Sequence, residues 1–113
     1  PDVQFIAAHL GNPWFDDLRK LMRKYPNLST DISGQVYSGR NEDTLEYRDF
    51  IVGEIRKFLE LPNGWARVMF ATDWPIQSYA YSLDLVRHLV LGEKELVAIL
   101  GGNAKRIIPA LRS

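Results

Sequence analysis

Arg67-Val68-Met69-Phe70-Ala71-Thr72-Asp73-Trp74-Pro75 decides the fold. An apolar run of β type carries an aspartate to its C-terminal end, and Trp-Pro then turns the chain. An aspartate so placed sits just past the carboxyl end of a buried strand, on the open rim where α/β proteins keep their functional groups. The same arrangement recurs near the start. Val3-Gln4-Phe5-Ile6-Ala7-Ala8-His9 is followed by Leu10-Gly11-Asn12-Pro13-Trp14, so a second apolar strand ends on a residue able to bind a metal or move a proton.

Around these runs the periodicity predicts alternating elements. Residues 3–8 read as a strand buried on both faces, as in a parallel sheet. Pro13 suits the first turn of a helix with Asn12 as its N-cap; Asp16 and Asp17 favour its positive end, and Arg19, Lys20, Arg23 and Lys24 its C-terminal half. Leu18, Leu21, Met22 and Tyr25 form its apolar stripe, and Pro26 ends it. Leu28 to Ser33 is a second strand carrying Asp31. Gly34 to Asp43 reads as a loop of about ten residues, longer than the usual 2–6 and of the kind that serves as a lid or binding loop. Asp43 or Thr44 caps a helix with the stripe Tyr47, Phe50, Ile51, Ile55, Phe58 and Leu59, which stops at Leu61-Pro62-Asn63-Gly64. After the strand at 67–72 come a helix around 80–90, a turn at Gly92, a short helix over 93–100, and a helix-to-helix turn at Gly101-Gly102-Asn103.

The order is β-α-β-α-β-α-α, an α/β pattern. Each strand is close enough to the next to require a right-handed parallel crossover. The three strands, about 3–9, 28–32 and 67–72, are expected to be parallel and adjacent in sequence order, with His9 and Asp73 on one rim. They form either an open sheet or a slice of an eight-stranded barrel, which needs about 250 residues.

Composition narrows the function. Hydrophobic residues at 46% and charged ones at 25% are those of an ordinary globular protein. Lys plus Arg and Asp plus Glu number 14 each, so no net field favours nucleic acid or an anionic membrane. Cysteine is absent, which excludes disulfides and thiolate metal sites and leaves His and carboxylates as ligands. No apolar run approaches the roughly 20 residues of a membrane span, and a cytoplasmic location is the default expectation. The chain opens at Pro1 with strand-like sequence at once, which reads as a cut inside a larger protein.

Two strand-end groups, a His and an Asp, make metal-assisted hydrolysis the leading expectation. His9 can bind zinc, orient a water or contact a substrate oxygen; its alternative is to satisfy a loop carbonyl. Asp73 can ligate a metal or take a proton from the attacking water; its alternative is to cap the turn through neighbouring amides. Asp31 reads as structural, bonded by Ser29, Thr30 or Ser33. Trp14 and Trp74 either wall a pocket or pack in the core. His88 reads as a structural mid-helix residue without an acidic partner, and Arg40 as a loop residue either solvated or facing a substrate carboxylate.

Three segments resemble the amidohydrolase-related (amidohydrolase 2) family of metal-dependent hydrolases, which includes aminocarboxymuconate-semialdehyde decarboxylase and related aromatic-acid decarboxylases. Ala8-His9-Leu10-Gly11-Asn12-Pro13-Trp14-Phe15-Asp16-Asp17-Leu18 resembles the sixth-strand region, with its His-x-Gly and Pro-Trp. Lys24-Tyr25-Pro26-Asn27-Leu28-Ser29-Thr30-Asp31-Ile32-Ser33 resembles the seventh, and residues 67–75 the eighth, with Gly102-Asn103-Ala104-Lys105-Arg106-Ile107 as the closing helix. The resemblance implies the last three βα units of a TIM (β/α)8 barrel, helices outside, in a single segment 1–113. It implies Asp73 as metal ligand or base, and His9 as a residue that contacts substrate or activated water and also stands as a candidate ligand. It further implies a divalent metal, zinc foremost, a small organic acid, amide or ester as substrate, and hydrolysis or decarboxylation as the reaction. The family's paired first-strand histidines and its fifth-strand histidine have no counterpart here, so the 113 residues alone are expected to be inactive. The rival expectation is a non-catalytic α/β scaffold or interaction module. An open nucleotide-binding sheet fits poorly, because no glycine-rich phosphate loop follows the first strand. A barrel slice also leaves both outer strand edges open, which predicts homo-oligomers through strands 3–8 and 67–72.

Overall fold

The computed structural model describes residues 3–35 and 45–111. Arg40, the capping pair Asp43 and Thr44, and most of the loop expected after the second strand lie outside these residues. Three strands, β1 (Phe5–Ala7), β2 (Leu28–Asp31) and β3 (Val68–Met69), form one parallel sheet in the order β1-β2-β3. Phe5 pairs with Leu28 and Ala7 with Thr30, while Thr30 and Asp31 pair with Val68 and Met69. Helices α1 (Phe15–Lys24) and α2 (Leu45–Leu59) connect them, and α3 (Tyr79–Arg87), α4 (Glu93–Val97) and α5 (Asn103–Ile107) follow. Order and direction are those the crossover rule predicts.

The strands are shorter than their apolar runs. β1 is an edge strand with Phe5 57% and Ile6 40% exposed, so the expected burial on both faces is absent. A run of apolar residues states that a strand can be covered; whether it is depends on a neighbour, and among the described residues β1 pairs with β2 alone. β3 leaves the ladder after two residues. The Phe70 N–H turns to the Ile99 carbonyl (2.8 Å), and Asn103 Nδ2 donates to the Val68 carbonyl (2.9 Å). The outer edge of β3 is thus closed by the last helical segment, and of the two edges expected to be open only that of β1 is.

That last segment is one helical run. Gly101-Gly102-Asn103 does not break it: a π turn over Ala98–Gly102 joins α4 to α5, with Gly102 at φ −59°, ψ −43°. Asn103, buried inside it, also holds the Trp65 carbonyl (2.7 Å).

In α1 the buried face is Phe15, Leu18, Arg19 and Met22, while Leu21 and Tyr25 of the expected stripe are exposed. Arg19 replaces them inside because its charge is met. It bonds Glu54 of α2 at 2.9 Å, pairs with Asp16, and lies 5.1 Å over the Phe58 ring. Burial alone would raise the Glu54 carboxyl, but hydrogen bonds and charge from Lys57 and Arg19 hold it below the usual range. Asn12 is not the N-cap of α1, which has no side-chain cap. The core gathers Leu10, Met22, Ile32, Ile51, Ile55, Phe58, Val68, Leu85 and Ile99.

At the amino end of the sheet Arg67 collects backbone carbonyls. Its guanidinium donates to Leu28 (2.8 and 3.0 Å), Met22 (2.6 Å), Tyr25 (2.8 Å) and Pro62 (3.3 Å). Met22 and Tyr25 belong to the C-terminal turn of α1, whose partial negative charge a buried cation complements. Burial depresses the Arg67 guanidinium from its ordinary value.

Candidate active site

His9 lies in a tight 3-10 turn, Ala8–Gly11, directly after β1. Three successive residues there are left-handed, His9 at φ 64°, Leu10 at 56° and Gly11 at 71°. For a residue with a Cβ that conformation costs roughly 1–2 kcal/mol and persists only where surroundings enforce it. Here Leu10 is driven fully into the core, and the His9 N–H is held by Asp31 Oδ1 at 3.2 Å.

The His9 ring is wired through Ser33. Ser33 donates its N–H and O–H to Asp31 Oδ1 (3.0 and 2.5 Å), so its single hydroxyl proton is committed. His9 Nδ1 lies 2.8 Å from Ser33 Oγ and 3.0 Å from the Ser33 carbonyl, two acceptors. Nδ1 therefore carries the proton, and Nε2 keeps its lone pair. Gly34 makes the close approach possible: at φ +61° a Cβ there would sit 2.5 Å from Nδ1. The alternative of a His that satisfies a loop carbonyl is what the Nδ1 contact with Ser33 displays. Asp31 is structural as expected, with Ser33 as partner; Thr30 instead bonds the Ala7 carbonyl (2.6 Å).

Asp73 occupies the corresponding place after β3. It too is left-handed, at φ 67°. Its carbonyl accepts from the Ile76 N–H (2.9 Å) and Gln77 N–H (3.4 Å), and Thr72 Oγ1 accepts from the Trp74 N–H (3.0 Å). The turn is thus closed by backbone and Thr72. The Asp73 carboxylate does not cap it; among the described residues it has no hydrogen-bond partner and is exposed. Trp74 stacks on Tyr79 (5.7 Å) at the surface, and Trp14 is also exposed, so neither tryptophan packs in the core. His88 ends α3 and does have an acidic neighbour: Nδ1 lies 2.8 Å from the Asp84 carbonyl and 3.5 Å from its carboxylate, a helix-end contact far from the rim in sequence.

Parallel pairing puts the His9 and Asp73 turns beyond the same ends of β1 and β3, with β2 between them. Two strand spacings, about 10 Å, separate the axes of β1 and β3. An imidazole nitrogen and a carboxylate oxygen suit a divalent transition metal. The count falls short: catalytic zinc takes three protein ligands, and among the described residues no group of three His, Cys, Asp or Glu side chains converges. Sequence reading missed the buried amides Gln35 and Gln77, because glutamine in a polar loop gives no signal of burial.

A family model described as Amidohydrolase matches residues 1–110. Among solved structures, 5-carboxyvanillate decarboxylase LigW from Sphingomonas paucimobilis aligns with a TM-score of 0.54 at 20% identity, covering 94% of this chain and 33% of that one. A dihydroxybenzoic acid decarboxylase from Polaromonas sp. JS666, solved with manganese and 2-nitroresorcinol, aligns at 0.49 and 17%, covering 85% and 38%. The chain therefore spans about a third of the length of the structures it matches. The first likeness bears on fold alone, a partial TIM-barrel-like α/β arrangement. No curated protein matches the sequence.

Proposed function

The chain belongs to the amidohydrolase family, and on that footing we propose that it forms the last three βα units of a (β/α)8 enzyme, a metal-dependent hydrolase or decarboxylase in its complete form. The substrate class is a small organic acid, amide or ester. One observation carries the reading. His9 and Asp73 each follow a strand of one parallel sheet in left-handed backbone, His9 with Nδ1 on the Ser33 carbonyl and Asp73 with a carboxylate that has no hydrogen-bond partner among the described residues.

In this reading Asp73 is one ligand of a divalent metal, zinc being the first candidate, and the remaining ligands come from outside these 113 residues. When bound, such an ion supplies water whose pKa is lowered toward about 7. His9 Nε2 accepts a proton or hydrogen bond from a water or substrate group, and once protonated donates to a substrate oxygen. Asp73 holds or passes a proton with its second oxygen. Among the described residues no helix is long and apolar enough to cross a membrane; the balanced charge supports a small-molecule substrate in preference to nucleic acid.

Closure of the β3 edge by Ile99 and Asn103 favours a second reading, a scaffold module that keeps the family's architecture without its metal. Assay of the complete protein separates the two. Metal-dependent release of CO2 from aromatic acids, or hydrolysis of amides or esters, abolished by Asp73→Asn and by His9→Ala, is expected of the enzyme. A folded complete protein that binds no divalent metal and turns over neither substrate class is the scaffold. The 113 residues alone should bind zinc weakly, and tight stoichiometric binding in calorimetry would place a full ligand set within them.

A further inference from the structure

Behind the rim lies a chain of amides that none of the roles above uses. Gln35 and Gln77 are both 0% exposed. Gln35 follows β2, and Gln77 stands four residues after Asp73. The Gln35 N–H donates to Gln77 Oε1 at 2.6 Å. Gln35 Nε2 donates to the Ser33 carbonyl (2.7 Å), and its Oε1 accepts from Asn12 Nδ2 (3.0 Å), three residues beyond His9. Gln77 Nε2 donates to Ser82 Oγ in α3 (2.6 Å) and to the Ile32 carbonyl (3.4 Å). Each amide orientation follows from its backbone partner: an N–H requires Gln77 Oε1, and a carbonyl requires Gln35 Nε2.

Two contacts tie this chain to the site. The Ser33 carbonyl receives both Gln35 Nε2 and His9 Nδ1, so Gln35 fixes the acceptor that selects the His9 tautomer. The Gln77 backbone N–H closes the Asp73 turn on the Asp73 carbonyl, so anchoring the Gln77 side chain anchors that turn. A buried amide without partners is destabilising, and an aliphatic side chain of similar size would fill the same space. Nine polar atoms joined by five hydrogen bonds across three strand-end loops and α3 do more than fill space.

We propose that Gln35 and Gln77 are positioning residues that lock the His9 turn and the Asp73 turn into one geometry through the Ser33 carbonyl and the Gln77 backbone. The proposal rests on His9 and Asp73 being the site, yet its test reads geometry without activity. The His9 ring nitrogens are followed by 15N-resolved NMR in the complete protein, with backbone amides at Asp73 and Gln77 as a second probe. The wild-type chain should show Nδ1 protonated and Nε2 bare.

In Gln77→Leu the Gln35 N–H loses its acceptor, and the Nδ1–H preference should be lost. Gln77→Glu, which keeps an acceptor oxygen for Gln35, should restore it. Ser82→Ala touches neither turn but frees one donor of Gln77, and should shift the His9 ring and Asp73 amide signals in the same direction by less. Ile51→Val, a core change of general effect, should leave both where they are. Should Gln77→Leu fail to fold, Ser82→Ala and Gln77→Glu still decide. His9 and Asp73 signals unmoved in Ser82→Ala, or a Gln77→Leu spectrum that matches wild type at His9, overturn the coupling. Signals that move as stated, in a complete protein whose turnover does not depend on His9 or Asp73, would leave the coupling standing and remove the proposed function.

Discussion

The two ends of the sheet are built on opposite terms. At the amino end Arg67 satisfies four backbone carbonyls at once and seals the C-terminal turn of α1 against β2. There a buried side chain serves the backbone, and the left-handed residue Asn63 (φ 55°) belongs to the turn that leads into β3. At the carboxyl end His9, Leu10 and Asp73 stand in left-handed backbone, the Asp73 carboxylate has no hydrogen-bond partner among the described residues, and hydrogen bonds from Asp31 and Ser33 hold the His9 backbone and ring. In barrel enzymes the amino face serves stability and the carboxyl face serves chemistry. The proposed function assigns the same division to these three strands.

If that division is real, substitutions at the two ends should fail in different ways. Arg67→Met should have the largest effect on stability, a loss of about 3 kcal/mol or more, because four carbonyls lose their donor in a buried place. Urea unfolding measures it, and a loss under about 1 kcal/mol would erase the contrast. Gly34→Ala comes next, at about 2 kcal/mol, from left-handed strain together with a Cβ that intrudes on the His9 ring. Unlike Arg67→Met it should also displace the His9 ring signals; stability loss without that displacement would mean Gly34 serves only its own turn.

Acid unfolding sharpens the stabilising side. The Glu54 carboxyl is held low in the folded chain, so the unfolded chain binds more protons as pH falls. The stability it contributes is present above the unfolded value of about 4.3 and is lost as pH drops through the lower folded value. A pH series of unfolding midpoints should show this slope, and Glu54→Gln should flatten it; an unchanged slope would place acid sensitivity elsewhere. Asp73→Asn should have the smallest effect, within about 0.5 kcal/mol, since the carboxylate is exposed and unbonded among the described residues.

Much of this was readable from residue order. Two apolar runs ending on His9 and Asp73 pointed to the parallel order and to turns that follow β1 and β3, because strand-end position depends on local pattern and on the crossover rule. What failed depended on neighbours. Leu21 and Tyr25 fit the helical period, but Arg19 took the inner face because Glu54 lies 35 residues away in sequence to receive it. Phe5 and Ile6 look buried and are not, because β1 has no strand on its outer side among the described residues. The last strand proved short, because Ile99 and Asn103 compete for its outer edge. Gln35 and Gln77 gave no sign at all, since an amide's burial is set by partners in other loops.

The most direct test of the rim as a reactive site is the metal content of the folded complete protein carrying Asp73→Asn. The account predicts a metal-free unfolding curve like that of wild type together with metal affinity reduced at least about 10-fold. A variant that retains its metal and its turnover undiminished would contradict it.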